Sequence, residues 1–179
     1  MTFDDMFPLR VVINLDRRPD RLAKCKEEFK KIGITPLRKS GVVFSGGTNS
    51  YTNGVVGCLA SHFQILQAGL LLNQNLAIFE DDVHFQDDKY NIPQVLQGVC
   101  DELETLEWDV IYLGANILKP FYKVTNHLAK IQHAQSTVAY LVNKNFTEKL
   151  LNYIDIQNIH APIDVIYAES VVPQNNCFV

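Results

Sequence analysis

The chain has 179 residues, 47% of them hydrophobic and 20% charged, which excludes a largely disordered protein and is typical of a soluble domain with its own core. The net charge of −4 argues against the strongly basic surface of a nucleic-acid-binding protein. We therefore expect a single domain over residues 1–179 and no nucleic-acid partner.

The N-terminus and the cysteines indicate a cytoplasmic protein without a membrane span. Residues 1–10 contain two acids and no apolar core of signal-peptide length. No run approaches the roughly 18 apolar residues of a transmembrane helix, and residues 66–72 are expected to form a buried helix face. The cysteines show neither a Cys-x-x-Cys pair nor zinc spacing, which favours reduced, mostly buried thiols at Cys25, Cys58, Cys100 and Cys177.

The first predicted unit is a strand that leads into an amphipathic helix. Residues 9–15 are β-branched and apolar, as in a strand that is covered on both faces. Pro19 suits the first turn of the helix, and Gly33 suits the residue after its last turn. The buried stripe of this helix is predicted to contain Leu22, Cys25, Phe29 and Ile32.

Strands and helices alternate along the rest of the chain. Residues 45–54 are predicted to be a loop and residues 115–135 an irregular excursion. The further strands are predicted within 76–79, 108–115 and 136–142, and the further helices within 55–75, 90–106, 143–154 and 161–179, the last with a tail. Asn145 and Glu148 have the spacing of a capping box. This alternation predicts an α/β fold with a mainly parallel central sheet flanked by helices.

Charged side chains follow two of these strands. An Asp-Arg-Arg segment begins at Asp16, and Glu80, Asp81 and Asp82 follow the apolar residues 76–79. Because ligands bind beyond the carboxyl ends of strands in such sheets, we expect both segments at one edge.

The acidic triplet is a candidate metal site. In an extended segment Glu80 and Asp82 would share a face, and Asp81 would point the other way. Two hard oxygen ligands on one face can hold Mn²⁺ or Mg²⁺. The alternative is an acidic turn on a solvated edge.

The segment after the first strand is a candidate anion site. Arg17, Arg18 and Arg21 bracket the start of the predicted helix. Arginine matches phosphate geometry, and a helix N-terminus also favours anions, so a nucleotide diphosphate is a natural ligand. The alternative is surface charge pairing within the first turn.

Two further segments carry candidate residues. Gly54 and Gly57 would allow close backbone approach beside Ser61 and His62. Ser61 and His62 are neighbours on a predicted helix and cannot form a hydrolase triad, and a partly buried histidine with satisfied hydrogen bonds is the more common situation for His62. Asp164 is either a helix N-cap or a carboxylate that faces a cleft.

Six segments, read in order, resemble glycosyltransferase family 25, which includes bacterial lipooligosaccharide galactosyltransferases and collagen galactosyltransferases. They are VVINLDRRPDRL (11–22), GCLASH (57–62), AIFEDDV (77–83), WDVIYLG (108–114), AYLVNKNFTEKLL (139–151) and PID (162–164). Their common order covers nearly the whole chain.

The resemblance implies a GT-A fold, a Rossmann-like sheet that binds a sugar nucleotide. It implies that Glu80 and Asp82 hold Mn²⁺ (or Mg²⁺) against the diphosphate of a UDP-sugar, and that Asp82 thereby takes part in catalysis. It also implies inverting transfer of a hexose such as galactose or glucose to a hydroxyl of a glycan or glycoprotein, with Asp164 as the general base, in glycan or lipopolysaccharide biosynthesis. The donor is expected to contact Asn14, Leu15, Arg17, Arg18, Arg21, Ser61, His62 and Asp81.

Two departures from the family pattern leave a second hypothesis open. Family members usually carry an acid shortly before the Gly-Cys pair, where this chain has Val55 and Val56, and the C-terminal acceptor side is short. A degenerate module that binds a nucleotide sugar or glycan without turnover is therefore the alternative.

Two other classes fit less well. A phospho-acceptor receiver domain would need its acidic pair after the first strand, where this chain has Asp-Arg-Arg. A haloacid-dehalogenase phosphatase would need an aspartate nucleophile, where this chain has Glu80.

Overall fold

A computed structural model describes residues 1–86, 91–154, 156, 159 and 161–179 of the chain. Within this part, the strands are β1 (Leu9–Asn14), β2 (Leu37–Ser40), β3 (Leu76–Glu80), β4 (Val110–Tyr112), β5 (Asn116–Ile117), β6 (Tyr122–Lys123), β7 (Ala129–Lys130), β8 (Ala134–Gln135), β9 (Ala139–Val142) and β10 (Cys177–Phe178). The large sheet has the strand order β2-β1-β3-β9-β4-β10-β7-β6, and β5 pairs with β8 separately.

Helices cover both faces of the sheet. They are α1 (Phe3–Met6), α2 (Pro19–Ile32), α3 (Ser50–Leu72), α4 (Ile92–Leu103), α5 (Thr147–Asn152) and α6 (Ile163–Ile166). A π-helical turn (Tyr167–Val171) and a 3-10 turn (Val172–Gln174) continue α6.

Two apolar clusters fix this layered arrangement. In β3, Ala77 and Phe79 join the cluster that contains residues of α1, α2 and α4. Leu76 and Ile78 join the opposite cluster, with residues of α3, α5 and α6. Successive side chains of a strand point to opposite faces, so an apolar run such as β3 requires cover on both sides.

The predicted α/β class and helix-flanked sheet are confirmed, but the sheet is mixed rather than mainly parallel. The β1–β2, β1–β3 and β4–β10 pairs are parallel. The β3–β9, β4–β9, β7–β10 and β6–β7 pairs are antiparallel. Periodicity reports how a strand is buried and not its direction, so β9, which runs against both neighbours, could not be oriented from the sequence.

Other differences concern the ends of elements. Residues 50–54 are the first turns of α3 rather than loop, because the Asn49 side chain accepts a hydrogen bond from the Thr52 N–H and caps the helix. The predicted capping box of α5 is wrong: Phe146 occupies the N-cap position without a side-chain cap bond. The predicted C-terminal tail contains β10, which pairs with β4 inside the sheet.

Helix α3 is also more apolar and less covered than expected. By length and composition alone it could cross a membrane, but buried core helices often have the same length and composition, so the expectation of no membrane span stays a prediction. Leu59 and Leu66 pack in the core, but Leu71 is 86% exposed. Residues 70–72 are therefore not the buried face that was predicted.

Candidate functional site

A cleft of about 510 Å³ lies at the carboxyl ends of β1 and β3. Residues 15–21 form one side, which we call the arginine wall, and residues 54–62 of α3 form the other, which we call the α3 wall. Among the predicted site residues, those that line the cleft are Leu15, Arg17, Arg18, Arg21, Ser61, His62, Glu80 and Asp81.

The two charged segments meet at one edge of the sheet, as the sequence predicts. Parallel pairing places Ile13 opposite Glu80 in the sheet register. One residue further on, the buried Asn14 donates a hydrogen bond from Nδ2 to Asp81 Oδ2 at 2.7 Å and another to the Arg18 carbonyl at 2.9 Å. Asn14 therefore links the start of α2 to the acidic triplet through hydrogen bonds.

The acidic triplet is a turn beyond Glu80, so the predicted alternation of its side chains is wrong. Strand β3 ends at Glu80, and the Val83 N–H donates to the Glu80 carbonyl at 3.2 Å. Asp81 and Asp82 are the central turn residues. Asp81 is buried, whereas the Asp82 side chain is 48% exposed.

Arg21 supplies positive charge to this turn. One guanidinium nitrogen of Arg21 lies 3.0 Å from Asp81 Oδ1 and 3.3 Å from Asp82 Oδ2. Partial burial and the charge of Glu80 nevertheless raise the pKa of Asp82, because they outweigh the attraction to Arg21. The turn retains an excess of negative charge that a cation would relieve.

The Glu80 carboxylate points toward α3. Its Oε1 accepts a hydrogen bond from Thr137 Oγ1 at 2.9 Å and lies 3.3 Å from His62 Nε2. Burial alone would raise the pKa of Glu80, but the contacts with His62 and Thr137 and the charge of Arg21 lower it overall. Glu80 is thus held ionised at the cleft.

His62 is fully buried between Glu80 and Tyr140. Its Nδ1 lies 2.9 Å from the Tyr140 hydroxyl, and the Tyr140 ring packs edge-on against Tyr167. His62 Nε2 has no hydrogen-bond partner among the described residues, because its contact with Glu80 lacks hydrogen-bond alignment. Burial raises the pKa of Tyr140 well above its usual value, so this hydroxyl stays protonated.

Close packing holds the α3 wall against residues 41–44. Ser61 Oγ accepts from the Val42 N–H at 2.8 Å and donates to the Gly57 carbonyl at 2.7 Å. A Cβ at Gly57 would lie 2.5 Å from the Val42 carbonyl oxygen, which confirms the predicted close approach. A Cβ at Gly54 would meet nothing within 4 Å, so no described residue approaches the backbone closely there.

The arginines of the other wall differ in their partners. Arg18 makes two hydrogen bonds to the Asp20 carboxylate, which is the surface pairing that the sequence left open. Arg17 is exposed and makes neither an ion pair nor a hydrogen bond with any described residue. Arg38 of β2, which sequence reasoning missed, pairs with Asp16 and donates to Asn14 Oδ1 at 3.0 Å.

Asp164 lies in a second hollow of about 330 Å³ rather than in the main cleft. Pro162 occupies the N-cap position of α6, so the interpretation of Asp164 as the cap is wrong. The hollow and the cleft share Ser50, Gly54 and Cys58. Asp164 is therefore next to the cleft across α3.

Sequence reasoning also missed Cys58, which it treated as a buried thiol like the others. The described cysteines are free, as predicted, but Cys58 is only partly buried and lines the cleft. Burial and the nearby carboxylates raise the pKa of the Cys58 thiol to about 12. The sequence did contain one signal for this position: Cys58 lies four residues before His62 on a predicted helix, so the two side chains share a helix face.

The hard oxygen atoms of Glu80 and Asp82 suit Mn²⁺ or Mg²⁺, and the excess negative charge of their turn favours a cation. The chemistry of these two donor groups is compatible with a divalent ion, but their side chains have different partners: Glu80 contacts Thr137 and His62, Asp82 contacts Arg21, and only Glu80 lines the cleft.

Comparisons with known proteins identify the family. A family model described as glycosyltransferase family 25 (LPS biosynthesis protein) matches residues 45–167. A probable inactive glycosyltransferase 25 family member 3 from Bos taurus is 31% identical over 180 residues, covering 84% of this chain and 29% of its own length. Procollagen galactosyltransferase 1-A from Xenopus laevis is 29% identical over 184 residues, covering 85% of this chain and 28% of its own length.

The chain thus spans less than a third of the length of these relatives. The match to the family model extends over well over half of the chain, from the loop before α3 to the end of α6. The chain belongs to glycosyltransferase family 25.

Proposed function

We propose that this domain transfers a hexose, such as galactose or glucose, from a UDP-sugar to a hydroxyl of a glycan or glycoprotein, with inversion and with a divalent metal ion. The observation that carries the proposal is the cleft itself. It brings arginines from the start of α2 and a carboxylate from the end of β3 to one cavity. Its volume of about 510 Å³ lies in the usual range for small-molecule sites.

The arginine wall would bind the donor diphosphate. Arg17 is free to turn toward an anion, and the N-terminus of the 14-residue helix α2 adds a favourable dipole. Arg18 and Arg21 already have carboxylate partners, so a diphosphate would compete with Asp20 and Asp81 for them. Leu15 lines the cleft beside them and would contact the nucleoside.

Glu80 and Asp82 are the proposed ligands of the ion. When bound, the ion would act as a Lewis acid that stabilises charge on the departing diphosphate. Glu80 is already ionised, and burial together with the negative charge of Glu80, which an ion would offset, raises the pKa of Asp82. Asp81, committed to Asn14 and Arg21, would position the turn.

Asp164 is the proposed general base. Inversion in a single displacement requires a base that accepts the proton of the attacking hydroxyl. The hollow around Asp164 adjoins the cleft through Cys58 and would hold the acceptor, with the exposed Tyr51 at its rim.

A thermal-shift screen of UDP-sugars with and without Mn²⁺ tests donor binding. Binding to the native state alone raises the apparent stability, so the donor should give the largest shift and should need the metal. A set of UDP-sugars that leaves the melting temperature unchanged, with and without Mn²⁺, would remove the basis of the proposal.

The Asp82→Asn variant tests the metal assignment. We expect it to fold normally and to lose the metal-dependent part of the donor shift, because one of two charged ligands becomes neutral. Asp101→Asn on the exposed face of α4 is the matched control. Metal-dependent binding and turnover equal to the wild type in Asp82→Asn would reject Asp82 as a ligand.

The Asp164→Asn variant separates transfer from binding. It should slow transfer by about 10²–10⁴-fold, the usual contribution of a general base, while the donor shift stays the same. Glu169→Gln, an exposed acid on the following turn, is the control. Parallel losses of binding and transfer would indicate a structural role for Asp164.

A catalytically degenerate binding module is the second candidate. The Bos taurus relative is named as probably inactive, and Arg21 already neutralises part of the acidic turn. Donor binding without hydrolysis or transfer during long incubation with Mn²⁺ would favour this alternative.

A further inference from the structure

We propose that Cys58, His62 and Glu80 form a zinc site that opens into the cleft. This site shares Glu80 with the proposed oxygen site for Mn²⁺ or Mg²⁺ but differs from it in using a thiolate and an imidazole in place of Asp82. It does not depend on sugar transfer, since zinc binding can be measured on the nucleotide-free protein.

The geometry of the three side chains suits a small tetrahedral ion. One possible ligand atom from each residue lies within 4.8 Å of the others, and His62 Nε2 is 3.3 Å from Glu80 Oε1. Ligands about 2.0–2.3 Å from zinc lie roughly 3–4 Å from one another in a tetrahedral site. Only small side-chain adjustments are therefore needed to surround an ion.

The backbone supports this arrangement on two rigid elements. Cys58 and His62 are four residues apart in α3 and so share one face of the helix. Glu80 is the last residue of β3 and projects toward that face. The spacing of the first two ligands equals that of paired histidines in helical zinc sites.

His62 is the strongest single indication of a ligand. The ring is fully buried, and its Nε2, 3.3 Å from Glu80 Oε1, makes no aligned hydrogen bond with any residue that the structure describes. An unpaired buried polar atom is costly, and an ion would satisfy it. The Tyr140 hydroxyl at 2.9 Å from Nδ1 would fix the ring, as hydrogen-bond partners of the other ring nitrogen do for metal-bound histidines.

The donor set selects the class of metal. A thiolate, an imidazole and a carboxylate favour Zn²⁺ and its neighbours in the first transition row over Mg²⁺ or Mn²⁺. All three residues line the cleft, which leaves a fourth position accessible to water or a substrate oxygen. Three protein ligands and one open position are typical of catalytic rather than structural zinc.

Calorimetric titration of the metal-free full chain with Zn²⁺, without nucleotide, tests the site. We expect one ion per chain and at least about 100-fold weaker binding in Cys58→Ser, because loss of a ligand should exceed the ~10–100-fold effect of losing a hydrogen-bond partner of a ligand. Tyr140→Phe should fall in that ~10–100-fold range. Cys25→Ala, which alters a buried cysteine of α2, should bind like the wild type.

Cobalt substitution provides a second readout that does not depend on affinity. Co²⁺ bound to the wild type should show a thiolate-to-cobalt charge-transfer absorption that Cys58→Ser lacks. Cys58 is only partly buried, so this conservative variant should fold, which circular dichroism would verify.

The results distinguish this site from the proposed donor site. Asp82→Asn should keep zinc binding even where it loses Mn²⁺-dependent donor binding. Absence of the thiolate absorption in the wild type, or equal zinc affinity in wild type and Cys58→Ser, would overturn the proposal. Zinc binding lost equally in Asp82→Asn would also overturn it, since one oxygen-based site would then account for both metals.

Discussion

The two walls of the cleft are built from different kinds of contact. Behind the arginine wall, charged and amide side chains bind one another across the ends of β1 and β3, as Arg21 and Asn14 do with Asp81. On the α3 wall, a glycine and a serine bring the helix against the backbone of Val42. The arginine wall is held in place by charged groups, whereas the position of the α3 wall depends on the lack of a side chain at Gly57.

Because of this difference, the two walls differ in how readily their side chains can move to bind a ligand. Ion pairs can exchange partners, so the arginine wall can release a guanidinium group to an incoming diphosphate. The α3 wall has little such freedom, because the Ser61 hydroxyl is already used as both donor and acceptor. It is suited to holding Cys58 and His62 in fixed positions.

Replacement of Asp81 by alanine should have the largest effect on stability. Asp81 is buried and accepts hydrogen bonds from Asn14 at 2.7 Å and Arg21 at 3.0 Å. Its loss would leave the buried Asn14 amide without this acceptor, so we expect the free energy of unfolding to fall by about 2–3 kcal/mol. Chemical denaturation of wild type and variant measures the difference.

Asp82→Ala is the matched control on the same turn. The Asp82 side chain is half exposed and contacts Arg21 at 3.3 Å, so its removal should change stability by less than about 1 kcal/mol. Equal losses in the two variants would show that the arginine wall is not anchored through Asp81.

Replacement of Gly57 by alanine should disturb the α3 wall. The new methyl group would lie 2.5 Å from the Val42 carbonyl oxygen, which belongs to backbone and cannot rotate away. Overpacking of this kind typically costs about 1–3 kcal/mol. We therefore expect a lower melting temperature and faster backbone amide exchange in residues 41–44.

Gly54→Ala provides the comparison within the same helix. Its methyl group meets nothing within 4 Å, and alanine is favoured over glycine in a helix by about 1 kcal/mol. Gly54→Ala should therefore be neutral or stabilising. Destabilisation of similar size by both variants would mean that close approach to Val42 is not what Gly57 provides.

Features that depend on local sequence signals could be predicted, and features that depend on contacts between distant residues could not. The β1–α2 unit, β3 and the convergence of two charged segments on one edge were predictable, because apolar runs and strand-end charges are local signals. The α/β class and the family followed from the same segments.

The remaining features depend on contacts between distant residues. The direction of β9 is set by its neighbours β3 and β4, which the pattern of residues 139–142 does not reveal. The acidic triplet was treated as extended, but the chain turns after Glu80. The partners of His62 lie 18 and 78 residues away, at Glu80 and Tyr140, so its surroundings had no local signature.

The smallest effect is expected for Arg38→Gln, which tests whether charge holds the arginine wall. Arg38 and a hydrogen bond from Ser40 lower the pKa of Asp16, the residue that follows Leu15 on this wall. A carboxyl group with a lowered folded-state pKa stabilises the protein above its unfolded-state pKa of about 3.9. That stabilisation is lost as the pH falls through the lower folded-state value.

The difference in melting temperature between wild type and Arg38→Gln should therefore be largest near neutral pH and shrink below about pH 4. It should not vanish, because Arg38 also donates to the neutral Asn14 side chain. High salt should reduce the difference in the same direction, since the Asp16 carboxylate is exposed. Arg17→Gln, which replaces an exposed arginine of the same wall, is the control and should show no such pH dependence. If the difference in melting temperature for Arg38→Gln is independent of both pH and salt, packing rather than charge stabilises the arginine wall.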